Sequence, residues 1–569
     1  MRAVPWALLT SAVLAAAPPC SSIPADLPWT DCALPPAPVG ALPATGVAFS
    51  TADASTQSLF AHAETAEAAN VVTFAPGYDV LVEGDGYRNV WLETQPMGGA
   101  YYAARNLTLA LANQLIFVRT QRADGRLPGM VTSVGGGVVH PTYSYPGDAQ
   151  HSMLQGFYMA TPAVDVAELA AASGAAAASA ALLAELQPAL ERFDGWLWAT
   201  RNSSTGVLWL LDTADTGEDN SDKYRPLPGN AVSPPFLSMD MMAYAADAER
   251  ALARLARLAN NASAAARWQA RAAATAAALK AALWREELGA AFDRERDGAQ
   301  TFVSTLLHNN LRAMWAGVFD QGMADAFIAR HLMNRSEFWT AAPLPSIAAS
   351  DARFENVVGN NWGGPSEGLT YLRAVRALGD YGHHAEALLA GAAQKSALLR
   401  TGRFPQQINP LTAQPDGGDG YGPMILAFLE LQALTTGVAL RAPPSGGGGV
   451  AVLFSAVAVG GAAPPAFDFS QRLGEHVFTA RGHGNGSFAG ERDGRQIFAC
   501  TGSARVEAGL DGTVTAVVGA GDAAADLELL LPGAPAPLAL HVAPNERWAI
   551  AGAAPPVLVQ KVPFTPPFG

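Results

Sequence analysis

From about Ser55 to Ala439 the chain alternates segments with apolar residues at helical spacing and loops rich in Gly, Pro, Asp and Asn. The clearest segment follows Ser238, a residue type that caps helix N-termini. Met241, Tyr244, Ala245, Ala248, Leu252 and Leu255 recur three and four residues apart and predict one buried face. A partner helix is predicted from Ser263 through Trp268, Leu279 and Leu283 to Trp284. The same periodicity predicts helices near 57–69, 99–121, 149–172, 175–200, 300–333, 362–378, 382–398 and 422–437. About ten to twelve helices therefore follow one another in pairs, without intervening strands, either as a closed ring or as an open solenoid. No fixed repeat length is visible, which disfavours the common tandem-repeat solenoids.

The pattern changes at Pro443-Pro444-Ser445-Gly446-Gly447-Gly448-Gly449, whose content is that of a flexible linker over 441–449. Beyond it, from 450 to 569, short and partly alternating runs such as 450–454, 476–479, 513–518 and 527–531 are bounded by Gly, Asp or Pro. They predict a small antiparallel β-sandwich. A Pro-rich segment over 23–54 is expected to wrap the surface of the helical region, which spans 55–440.

Composition narrows the possibilities. Half of the 569 residues are hydrophobic and 15% are charged, which excludes global disorder. The net charge of -14 comes without a basic run able to follow a phosphate backbone, so nucleic acid is not an expected partner. Residues 1–22 carry Arg2, an apolar run from Ala3 through Leu14 into Ala15-Ala16-Ala17, and small residues near Cys20-Ser21-Ser22, the pattern of a secretory signal peptide. The expected product is a secreted, soluble protein with no membrane span. Cleavage near Ser22 would remove Cys20 and leave Cys32 and Cys500, either joined or both free. Five Asn-x-Ser/Thr sites, at Asn106, Asn202, Asn261, Asn334 and Asn485, fit that route.

The densest candidate chemistry lies in LWLLDTADTGEDNSDKYRP, which ends at Pro226 and includes Trp209, Asp215, Glu218, Asp219, Asn220, Lys223 and Arg225. Glycoside hydrolysis needs one carboxylic acid to protonate the leaving oxygen and a second carboxylate to activate water or attack directly. On chemistry alone the same run also suits a solvated acidic turn or a calcium loop. His383 and His384 are neighbours on a predicted helix, point in different directions and are read as structural. No metal, phosphate-cradling or serine-hydrolase motif is present, and no cofactor is expected.

The run TGEDNSDKY resembles the DNSPR-type motif of glycoside hydrolase family 63 and its mannosylglycerate hydrolase and trehalase-like relatives. Asp219 matches the general acid of that family. VWLETQPMGGAYYAARN resembles the first barrel helix of the trehalase-like proteins and the loop leading into it, with Trp91 and Glu93 facing the sugar. NNWGGPSEGLTYLRA resembles the WRGP motif, with Trp362, Gly364 and Pro365 in matching positions, and RFPQQINPLT resembles the loop bearing the second carboxylate. The resemblance spans about 85–440 and implies an (α/α)6 barrel, a six-hairpin toroid, with its active site in the loops at one end.

The last motif departs from the family at a decisive place. Gln406 stands where the relatives carry the general base, and a carboxamide cannot accept a proton from water near neutral pH. Glu367, five residues beyond Trp362, is the first substitute, with Asp416 and Asp419 as further candidates; Glu367 also suits a helix-start acid, and the two aspartates suit turns beside glycine. Trp91, Trp209 and Trp362 are expected to stack on sugar, with Glu93, Glu218, Asn220, Arg225, Gln406, Gln407 and Tyr421 as further substrate contacts. Glu218 and Asp215 are expected to keep the acid protonated. The expected activity is exo-acting, inverting hydrolysis of an α-linked gluco- or manno-configured oligosaccharide or small glycoside. The alternative is a barrel that binds carbohydrate and has lost hydrolysis.

Overall fold

The computed structural model describes residues 17–20, 23–35, 42–144, 152–211, 213–218, 221, 223, 235–297, 300–357, 359, 362–442, 449–552 and 554–569. Twelve α-helices lie among them: α1 (Ala54–Ala69), α2 (Gln95–Tyr102), α3 (Leu107–Arg119), α4 (Ala160–Ala172), α5 (Ala176–Arg201), α6 (Met239–Leu258), α7 (Ala262–Leu283), α8 (Asn309–Trp315), α9 (Gln321–Phe327), α10 (Gly368–Gly379), α11 (His384–Leu399) and α12 (Gly422–Thr435). None of the described helices is long and apolar enough to cross a membrane.

Local chemistry sets several starts. Ser238 caps α6 by accepting the Asp240 amide at 3.2 Å, as its sequence suggests. Asn106 caps α3 through the Leu109 amide and so divides the helix expected over 99–121 into α2 and α3. The helix expected over 300–333 is also divided: α8 ends before Gly317, which takes φ +68°, and Asp320 then caps α9. The helix expected over 149–172 begins only at Ala160.

The even-numbered helices form a closed series of contacts. α2 packs on α4, α4 on α6, α6 on α8, α8 on α10, α10 on α12, and α12 back on α2. Among them α6 is buried along nearly its whole length, while its partner α7 buries one stripe and leaves the other faces to solvent. The segment ahead of each even helix touches the corresponding segment of another. Gln155 and Gly156 donate backbone N–H groups to Ala214 and Asp215, Arg312 donates to the Thr216 carbonyl, and Ser221 donates to the Trp362 carbonyl. The amide that opens α12, at Gly422, donates to Glu83. Chain segments distant in sequence thus meet at one end of the helices.

Small sheets, absent from the sequence expectation, stiffen that end. Trp209–Leu210, Phe236–Leu237 and Arg294–Glu295 form one; Ser366–Glu367, Gln407–Ile408 and Pro415–Asp416 form another.

The C-terminal region holds two antiparallel sheets, of six and seven strands, which meet through Phe454 of one against Phe478 and Phe498 of the other. Their borders differ from the expectation. Thr436–Arg441, which follows α12 directly, is an edge strand of the six-stranded sheet and pairs with Ala451–Ala456, so the Gly/Pro run joins two strands of one sheet and does not separate two domains. Thr45–Thr51, from the Pro-rich segment, pairs with Ala466–Leu473 at the edge of the other sheet. Cysteine pairing also differs: Cys20 is bonded to Cys32, while Cys500 is free and buried at the end of strand Arg495–Cys500 in the seven-stranded sheet.

Candidate active site

Glu218 lies at the centre of a buried polar cluster. Its Oε1 receives His308 Nε2 at 2.7 Å and lies in ion-pair contact with Arg312 Nη2 at 2.9 Å, and its Oε2 receives Asn309 Nδ2 at 3.2 Å and the Lys223 ammonium. Lys223 also donates to Thr216 Oγ1 at 3.1 Å, and Asn309 donates to Asp240 Oδ2 at 2.6 Å. Burial opposes charge on Glu218, but Arg312, Lys223 and His308 together hold its carboxyl well below the usual range. Burial brings His308 down to about 4 despite its bond to Glu218, so the ring is neutral at physiological pH. The indole of Trp362 sits 5.7 Å from the His308 ring and carries the Arg312 guanidinium at the same distance.

This cluster fixes the loop that holds the candidate acid. Asp219, Asn220 and Arg225 themselves lie outside the described residues. Glu218 and Asp215, expected to hold a proton on Asp219 by their charge, are both committed elsewhere, Asp215 lying 3.2 Å from Arg201 and accepting the Leu211 amide at 2.8 Å. With its charge met by Arg312 and Lys223, Glu218 anchors the loop, and its expected role as a substrate contact is replaced by that one.

Glu93 lies beside it. Its Oε2 is 3.4 Å from Arg373 Nη2, and the α-carbon of Gly217 rests against its carboxylate. Arg373 in turn covers the ring of Tyr158 at 4.2 Å. Trp91 begins the turn into α2, its backbone N–H donating to Gln95 Oε1 at 2.6 Å. Glu93, Trp362 and the Glu218 loop are thus brought together as the sequence suggests. Trp209 is different: Arg201 and Arg296 lie over its ring at 5.0 and 4.4 Å, so its faces serve cations of the protein and its expected stacking on sugar is not supported.

The late segments meet in the small sheet ahead of α10. Glu367 and Gln407 face each other across it, and Gln407 Nε2 donates to Glu367 Oε1 at 2.5 Å. Glu367 has no solvent contact, and its Oε2 is without a partner among the described residues. Burial, with Glu93 and Glu83 adding to it, raises its carboxyl well above the usual range. A carboxyl sealed from solvent leaves no place for a nucleophilic water beside it, which counts against the expected base role of Glu367. Its position at the start of α10 makes no side-chain cap.

Tyr421, expected to face the sugar, is buried and donates to Glu83 Oε1 at 2.8 Å. Gln406 receives the Tyr87 hydroxyl at 3.4 Å. Asp419 accepts the Phe404 amide at 2.8 Å and pairs with His62, which makes it a turn brace. Arg105 is held by Glu64. His383 bridges Asp325 and Glu386 and is structural. Sequence reasoning passed over His308, Asn309, Arg312 and Asp240. The run His308-Asn309-Asn310-Leu311-Arg312, strongly polar at the head of a helix buried all round, was the available signal.

The model of the mannosylglycerate hydrolase MGH1-like glycoside hydrolase domain matches residues 97–422, more than half of the chain. The chain belongs to this glycoside hydrolase family. Among solved structures it resembles the GH63 mannosylglycerate hydrolase from Thermus thermophilus in complex with glucose, at 21% identity and a TM-score of 0.52, over 66% of this chain and 99% of that one. The same enzyme in complex with Tris and D-glycerate matches with a TM-score of 0.53 at 21% identity, over the same shares. A structure described as a sialidase matches with a TM-score of 0.59 at 12% identity, over 81% of this chain and 41% of that one. No curated protein matches the chain. At these identities the structural likenesses establish the fold, and the family match establishes an MGH1-like glycoside hydrolase.

Proposed function

We propose that this glycoside hydrolase is a secreted, exo-acting enzyme that inverts configuration at an α-linked gluco- or manno-configured sugar, with Asp219 as the general acid. The observation that carries the reading is the meeting of Glu93, the Glu218 loop, Trp362 and the Glu367–Gln407 pair at one end of the even helices. The closed series of helix contacts supports an (α/α)6 toroid, and the two C-terminal sheets support a β-sandwich. The related hydrolase's complexes with glucose and D-glycerate support a small glycoside as substrate. A disulfide between Cys20 and Cys32 suits an oxidising compartment and implies cleavage ahead of Cys20.

In this mechanism Asp219 protonates the glycosidic oxygen while water attacks the opposite face of the anomeric carbon, with the acid and base about 6.5–9.5 Å apart to admit that water. One observation favours the alternative of a carbohydrate-binding barrel without turnover: Gln406 at the position of the base. Incubation with α-glucosides, trehalose and mannosylglycerate, followed by NMR of the released anomer, separates the two. Hydrolysis with inversion that falls about 10²- to 10⁴-fold in Asp219→Asn is expected. Binding without turnover, with hydrolysis emerging only in Gln406→Glu, would instead establish the binding protein.

A further inference from the structure

Gln406 opens onto a polar hollow of about 420 Å³, whose wall includes Asp85, Tyr87, Gln407 and Asp416. Two carboxylates therefore border it among the described residues. Asp416 stands directly opposite Gln407 in the small sheet, so the two side chains share the face that turns to Glu367, and its Oδ2 accepts the Gly359 amide at 3.1 Å.

Asp85 and Gln406 line the same hollow. The Asp85 Oδ2 and the Gln406 backbone nitrogen lie on either side of Gly417, 3.7 and 3.8 Å from the place that a Cβ there would occupy. Two residues on, Tyr87 donates its hydroxyl to the Gln406 side chain at 3.4 Å. The turn that carries both is closed by reciprocal backbone bonds between Gly84 and Tyr87, of 3.1 and 2.9 Å. Asp85 itself takes φ +46°, a left-handed conformation that a residue with a side chain adopts at a cost and that is concentrated at functional sites. Its carboxylate lies over the glycine turn, accepting the Gly418 amide at 3.2 Å, at a place where a Cβ on residue 418 would come within 1.9 Å of Oδ1. Burial raises the Asp85 carboxyl above its usual value while the Gly418 N–H opposes that shift.

We propose that Asp85 is the general base of this enzyme, taking over from position 406, and that the Gln406 carboxamide orients the attacking water. The inference rests on the hydrolase reading above. The water oxygen forms the new bond to the anomeric carbon as one of its protons passes to the Asp85 carboxylate. The glycosidic bond breaks, and the leaving oxygen takes the proton of the general acid.

Asp85→Asn is the first test, because asparagine tolerates the left-handed backbone. With the glycoside that wild type hydrolyses best, kcat is expected to fall about 10²- to 10⁴-fold with little change in KM, and the acid-side limb of the kcat/KM profile is expected to vanish. Azide is expected to restore turnover in Asp85→Ala and to give a glycosyl azide of inverted configuration, since this nucleophile has no proton to lose. Adding Gln406→Glu to Asp85→Asn is expected to recover activity by returning a carboxylate to the neighbouring position. Asp85→Asn with wild-type kcat, or a natively melting Asp85→Ala that azide does not restore, overturns the assignment. If Asp85→Asn melts early, failure of the double variant to recover turnover overturns it as well. Wild type inert toward every glycoside removes the hydrolase reading and Asp85 with it, whereas active wild type beside an equally active Asp85→Asn removes Asp85 alone.

Discussion

The α-carbon of Gly217 rests on the carboxylate of Glu93, so closely that a Cβ there would lie 2.0 Å from Oε2. This contact joins the segment ahead of α2 to the loop bearing the candidate acid, and Gly217 also takes φ +76°. Gly217→Ala adds a left-handed alanine, costing about 1–2 kcal/mol, and forces the two segments apart. A lower melting temperature and at least a tenfold loss of kcat are expected, from thermal unfolding and steady-state hydrolysis. Wild-type kinetics in this variant would show that the contact does not position the acid.

Glu218 meets Arg312, Lys223 and His308 through one carboxylate. Glu218→Gln leaves buried cations short of their counter-charge, at a cost of about 3–5 kcal/mol near neutral pH. Because the folded carboxyl is held below its unfolded value of 4.5, its contribution is complete above that pH and fades as pH falls toward the lowered folded value. Urea unfolding at several pH values should therefore show the gap between wild type and variant narrowing below about pH 4.5. A gap that stays constant on acidification would count against the ion cluster.

Glu67 has the opposite sign. Burial raises its carboxyl to about 8, against the hydrogen bond from Asn70 at 3.0 Å. Between 4.5 and 8 the folded chain keeps this proton while the unfolded chain releases it, so stability falls as pH rises through that interval. Glu67→Gln removes this slope. The variant should match wild type near pH 4.5 and exceed it at pH 8, by on the order of a few kcal/mol, in urea midpoints at the two pH values. Equal midpoints at pH 8 would show that Glu67 is already ionised in the fold.

The motifs around Trp91, Asp219, Trp362 and Gln406 were legible because each is a short run whose residue types follow from local chemistry, a capped helix start or an oxygen-rich loop. Their assignments were less so. Tyr421 and Trp209 read as sugar-facing aromatics, yet one supports Glu83 and the other carries two guanidinium groups. Glu367 read as a substitute base, but a carboxyl's protonation depends on burial and on charges that arrive from remote segments, here Glu93 and Glu83. The linker at 441–449 misled for a related reason: Gly and Pro mark a chain reversal equally well between domains and within a hairpin.

The amino-acid pattern alone determined the helical pairs, the change to short strands near the C-terminus and the family motifs in their order, because periodicity, capping and turn chemistry act over a few residues. Tertiary structure decided which carboxylates are spent on Arg312, Lys223 and Arg201, which is sealed from solvent, and that Asp85 lines one hollow with Gln406. Several of those outcomes depend on distances between segments remote in the chain, as between Glu218 and Arg312 or Asp85 and Gln406. Desolvation and Coulomb interactions are properties of that spatial arrangement, and only the closed contact series from α2 to α12 brings the groups within range.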